Sequence, residues 1–66
     1  MKNRIKVLRA ERNLTQQQLA DLAGISRTTL AMIEKERAVP DGTTIVSLVK
    51  ALKVPADQIF FELSVV

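Results

Sequence analysis

Apolar residues recur along most of this chain with the three-and-four spacing of helices rather than the alternation of strands. Ile5 and Leu8 share a stripe with Arg9, which predicts a first helix over about 3–12. Asn13 and Leu14 then lead into Thr15-Gln16-Gln17-Gln18. There the Thr15 hydroxyl can accept from the next amides and Gln18 can reach back to the Thr15 amide. This capping box opens a second helix, Gln16 to Ala23, with Leu19, Leu22 and Ala23 expected inward and Gly24 free to take the left-handed stop. Ile25 fills the turn, and Ser26 caps a third helix from Arg27 to about Lys35. Pro40-Asp41 marks the start of a fourth, about Gly42 to Leu52, expected to bury Ile45, Leu48, Val49 and Leu52. Pro55 suits the first turn of a short fifth helix ending near Phe61. Glu62-Leu63-Ser64-Val65-Val66 alternates weakly and reads as a short strand or an ordered tail. The expected fold class is all-α, a five-helix domain.

The link between the second and third helices, Gly24-Ile25-Ser26, is too short for a long antiparallel hairpin and suits a crossed, helix-turn-helix pair. Ala20 is small enough to let the two helices approach, and Leu19, Ile25, Leu30 and Ile33 are placed to join them. With Leu30, Ile33 and Glu34 facing inward, Thr28, Met32 and Lys35 point the opposite way, with Thr29 and Ala31 on the flanks. Opened by Arg27, this outer face is small and hydrogen-bonding, and the DNA major groove is wide enough for one such helix. Arg9 and Glu34 each occupy an apolar stripe, where a lone charge would be costly, so the two are expected to pair across the first and third helices.

Composition narrows the picture. Sixty-six residues make one small domain spanning 1–66, with no repeat and no dividing linker. Scaling relations have such a chain bury about 60% of its unfolded surface. An apolar share of 47% with a charged share of 26% is that of a soluble globule. The longest apolar run is Leu30 to Ile33, far too short to span a membrane, and a cytoplasmic location is expected. Cysteine, histidine, tryptophan and tyrosine are all absent. No disulfide, thiol nucleophile or imidazole base is available, and no metal site or cofactor is expected. Gly24 and Gly42 are the only glycines, too few for a phosphate-cradling loop, and Ser26, Ser47 and Ser64 lack an obvious activating partner. A binding protein, not an enzyme, is expected. The net charge of +3 is concentrated early, where Lys2, Arg4, Lys6, Arg9 and Arg12 face only Glu11, a bias that suits a polyanionic partner.

Leu14-Thr15-Gln16-Gln17-Gln18-Leu19-Ala20, then Gly24-Ile25-Ser26-Arg27, then Ile33-Glu34 resemble the XRE or Cro-repressor type of helix-turn-helix regulators. The likeness covers nearly the whole chain, since Pro40, the fourth helix and Ile59-Phe60 also sit at the family's intervals, and it is nearest to small stand-alone members. It implies a lambda-repressor-like domain that binds double-stranded DNA and reads bases with Arg27, Thr28, Thr29 and Met32. Arg27 would fork onto guanine and the others would touch a thymine methyl or a sugar edge. Phosphate contacts would come from Gln16, Gln17, Ser26, Lys35 and Arg37. The family also supports Arg9–Glu34 as a structural ion pair. Two positions depart from the pattern. Glu36 stands where glycine or asparagine is usual, so either the third helix runs on or Glu36 accepts strain. Gly42 replaces an apolar residue and weakens the start of the fourth helix.

Recognition by this family normally uses two copies on a pseudo-palindromic operator, with half-sites about 34 Å apart. Phe60 is expected in the core, whereas Phe61, Leu63, Val65 and Val66 are the expected homodimer interface, residues 62–66 acting as a tail. The function implied is transcriptional regulation, most often repression, with no effector pocket evident. The alternative is an antitoxin-like interaction module whose DNA binding is secondary.

Overall fold

In the computed structural model the described residues are 1–61. They form β1 (Lys2–Asn3), α1 (Ile5–Glu11), α2 (Gln16–Ala23), α3 (Arg27–Glu34), α4 (Gly42–Leu52), α5 (Ala56–Ile59) and β2 (Phe60–Phe61). Boundaries dictated by local chemistry fall where the sequence puts them. The Thr15 hydroxyl accepts the Gln18 N–H at 3.0 Å, and the Gln18 side-chain oxygen accepts the Thr15 N–H at 2.9 Å. Gly24 closes α2 at φ +71°, a conformation that a Cβ would strain. Ser26 Oγ accepts the Thr29 N–H at 3.0 Å to open α3, and Asp41 Oδ1 accepts the Thr44 N–H at 2.8 Å to open α4. That last cap lets α4 begin at Gly42 despite the weak residue there.

Three boundaries differ from expectation. α1 starts at Ile5 because Asn3 is drawn into an antiparallel pair, Asn3 opposite Phe60 and Lys2 opposite Phe61, while Arg4 N–H donates to the Ile59 carbonyl at 2.8 Å. α3 stops at Glu34 because Glu36 turns left-handed at φ +62°. The Glu36 N–H then donates to the Ile33 carbonyl and the Arg37 N–H to the Met32 carbonyl, which satisfies the helix end. Of the two alternatives at Glu36, the strained turn is the one adopted. α5 covers only Ala56–Ile59, since Phe60 is already extended. The fold is the expected all-α, five-helix domain, with a short strand pair joining β1 to β2. Residues 62–66, expected as a strand or tail, lie outside the described residues.

Every helix sends at least one fully buried side chain to a single core: Ile5, Leu19, Leu30 and Ile33, Leu48 and Leu52, and Ile59. Phe60 is buried beside them, and Ile45 and Val49 are half-buried against them. Leu22, expected inward, is instead 61% exposed. α2 packs against both α3 and α4, and its buried side is Leu19, Ala20 and Ala23. Turning Ala20 and Ala23 inward carries Leu22 out to solvent. Among the described residues no helix is long and apolar enough to cross a membrane.

Candidate nucleic-acid interface

α3 owes its orientation to two residues. Leu30 and Ile33, one turn apart, are 0% and 1% exposed, so the helix is seated by its inner face. Arg27, Thr28, Thr29, Met32 and Lys35 are consequently exposed, with Ala31 between the two faces. Gln16, Arg27, Thr28, Ala31, Met32 and Lys35 together line a shallow concavity where the start of α2 meets the outer face of α3. It offers two cations, an amide, a hydroxyl and an apolar floor of Ala31 and Met32, and among the described residues neither Arg27 nor Lys35 makes an ion pair.

Gln16 connects it to the Arg9–Glu34 pair. Arg9 Nε and Nη2 donate to the two Glu34 carboxylate oxygens at 2.8 and 3.1 Å, and Arg9 Nη1 donates to the Leu14 carbonyl at 3.0 Å. The side chains are only 14% and 7% exposed, so this forked contact ties α1 to α3 largely out of water. Gln16 Nε2 donates to Glu34 Oε1 at 3.2 Å, which holds the Gln16 side chain at the edge of the concavity. The backbone amides of Gln16 and Gln17 make no hydrogen bond among the described residues, leaving the positive end of α2 open toward an anion.

Other residues singled out from the sequence stand apart. Gln17 lies along its helix with Nε2 donating to Asp21 at 2.8 Å. Ser26 donates its hydroxyl to Thr29 Oγ1 at 2.8 Å, so both side chains are engaged with each other. Arg37 is exposed but does not line the concavity. Phe61 is 38% exposed on β2, while Leu63, Val65 and Val66 lie outside the described residues.

Sequence reasoning missed two residues that tie distant elements together, one of them at the end of α3. Asn3 Nδ2 donates to the Ile33 carbonyl at 2.9 Å, pinning the end of α3 to β1. Arg12 Nε donates to the Leu52 carbonyl at 2.9 Å and Nη1 to the Leu8 carbonyl at 3.1 Å, so this cation bridges α1 and α4. Their partners are distant carbonyls, which carry no signature in side-chain spacing. Asp41, at the head of α4, has its carboxyl held below the usual value by the Thr44 backbone and side-chain hydrogen bonds. Among the described residues no cluster of acidic, histidine or cysteine side chains is arranged to hold a metal.

A small-residue contact between α2 and α3, a three-residue turn and a bare outer face on α3 define a helix-turn-helix domain. The helix-turn-helix family pattern matches residues 5–59, and the chain belongs to that family, in its XRE type. It is 44% identical over 59 residues to the immunity repressor protein of Bacillus phage phi105, a match covering 89% of this chain and 41% of the repressor. The chain thus spans about two fifths of that relative's length. Among solved structures, the restriction-modification controller protein C.AhdI from Aeromonas hydrophila superposes with a TM-score of 0.79 at 27% identity, over 85% of each chain. The P22 c2 repressor in complex with a synthetic operator superposes with a TM-score of 0.77 at 26% identity, over 80% of each chain.

Proposed function

We propose that this protein regulates transcription by binding duplex DNA with the outer face of α3 in the major groove. The observation that carries the reading is the concavity of Gln16, Arg27, Thr28, Ala31, Met32 and Lys35, exposed while the opposite face of the same helix is fully buried. Its chemistry suits a base edge bordered by phosphates. Arg27 has the fork that matches guanine O6 and N7, and Thr28 and Met32 present methyl groups to a thymine. Lys35 and the open amides at the start of α2 suit backbone phosphates. Thr29, joined to Ser26, contributes a fixed hydroxyl and methyl at the flank. Gln17, Ser26 and Arg37 retain a supporting part at the backbone. The P22 c2 repressor, similar in fold, binds an operator, and the phage phi105 relative is a repressor.

In this reading two copies occupy a pseudo-palindromic operator and repress by occlusion, joined through Phe61 together with Leu63, Val65 and Val66. Selection of bound sites from a random duplex pool tests it. The expected result is a two-fold symmetric site with half-sites about one helical turn apart. Arg27→Ala is expected to weaken that site by about 5- to 150-fold, equivalent to roughly 1–3 kcal/mol, and to relax the preference at one base pair. Retention of no duplex at low ionic strength overturns the reading. Sedimentation of the chain truncated after Glu62 tests the dimer, which is expected to become a monomer.

A further inference from the structure

Leu22 is an aliphatic side chain that the fold leaves 61% exposed and the nucleic-acid face does not use. It lies in a second concavity, an open groove of about 460 Å³ between α2 and the end of α4. Leu14, Leu22 and Ala51 supply the apolar surface, and Arg12, Lys50 and Lys53 supply the charge. None of these residues lines the concavity over α3. Arg12 is engaged with two carbonyls and lies 3.5 Å from Glu11. Lys50 and Lys53 make no ion pair among the described residues, and no carboxylate lines the groove. The nearby Asp21 already accepts from Gln17.

We propose that this groove docks an acidic amphipathic helix of a partner protein, whose aliphatic side chains cover Leu22 and Ala51 and whose carboxylates meet Lys50 and Lys53. The charge decides the occupant. An apolar trough with two free ammonium groups and no carboxylate complements a segment carrying glutamate or aspartate beside leucine or isoleucine. A small organic anion is less well matched, because such ligands bind in enclosed clefts and this groove is open. The groove has room for about two aliphatic side chains, as an i, i+4 pair on a helix presents. A regulator built this way engages a protein through α2 and α4 while α3 stays free.

The probe is a synthetic fluorescent helical peptide bearing leucines four residues apart and flanking glutamates, titrated against the full chain. The expected result is saturable binding, with NMR shifts concentrated at Leu14, Leu22, Ala51 and Lys53. Leu22→Glu and the double variant Lys50→Glu/Lys53→Glu are each expected to weaken it about tenfold or more. All three positions are on exposed surface, and unchanged melting of the variants confirms that they fold. A control peptide with lysines in place of the glutamates is expected not to bind. The proposal is overturned if shifts fall on α3 or Phe61 instead, if Leu22→Glu binds like the parent, or if both peptides bind equally. It is also overturned if Leu22→Glu abolishes self-association, which would make a second copy the occupant. Loss of duplex DNA affinity in Lys50→Glu/Lys53→Glu with peptide binding intact would assign the lysines to phosphate. The failure of DNA binding altogether leaves this test untouched, because the peptide titration contains no DNA.

Discussion

Replacing Glu34 by alanine should separate what holds α3 in place from what α3 reads. In the folded chain the Arg9 guanidinium gives two hydrogen bonds to this carboxylate and one to the Leu14 carbonyl. With the carboxylate gone, a charge only 14% exposed keeps a single neutral partner. Breaking such a buried pair costs about 3–5 kcal/mol, and the residual exposure and the Leu14 bond place this case near 3 kcal/mol. A domain of this size has roughly 3–10 kcal/mol in total, so the loss is a large fraction of its stability. The melting temperature should fall by roughly 10–25 °C at the usual 4–8 °C per kcal/mol for small domains. Arg9→Met alone should melt early too, since Glu34 then keeps only the Gln16 amide among the described residues. The double variant Arg9→Met/Glu34→Leu exchanges the pair for apolar side chains and should recover to within about 1 kcal/mol of the parent. Thermal and urea denaturation of these proteins and of Glu34→Leu, followed by circular dichroism, closes the cycle of Glu34→Leu, Arg9→Met and their double variant and gives the coupling energy. If Glu34→Ala melts within two or three degrees of the parent (roughly half a kcal/mol), the pair is not a buried strut and the reasoning fails.

Three further outcomes follow from particular residues. Glu36→Gly should raise stability by about 0.5–1 kcal/mol, because glycine takes φ +62° without the steric penalty that glutamate bears; an unchanged or lower denaturation midpoint counts against the strained turn. Leu30→Ala should cost about 2–5 kcal/mol whereas Leu22→Ala should stay within about 0.5 kcal/mol, a contrast that denaturant titration resolves. The Asp41 carboxyl is held below the usual aspartate value in the folded chain by the Thr44 hydrogen bonds. Its cap therefore stabilises α4 at higher pH and is lost as the pH falls through and below that value. Asp41→Asn, which keeps an acceptor without the charge, should show a weaker loss of stability on acid titration, and an identical acid profile would refute the assignment.

Much of this fold is written in short stretches of chain. Thr15 with Gln18, Ser26 with Thr29 and Asp41 with Thr44 are contacts three residues apart, so the sequence alone is enough to start α2, α3 and α4. Gly24 ends α2 for an equally local reason. The outer face of α3 was legible because Leu30 and Ile33 leave a helix only one way to turn. The Arg9–Glu34 pair was legible because a charge on an apolar stripe demands a partner. Tertiary structure alone decided the rest. Leu22 is exposed because the side of α2 that α3 and α4 cover is centred on Leu19, Ala20 and Ala23, a rotation of the expected stripe that periodicity on one helix cannot fix. The pairing of Lys2 and Asn3 with Phe61 and Phe60 joins opposite ends of the described chain. Asn3 and Arg12 find carbonyls 30 and 40 residues away, and Gln16 turns to Glu34 because α2 and α3 happen to cross there. Caps and stripes are set by neighbours along the backbone, whereas these contacts exist only once distant faces have met.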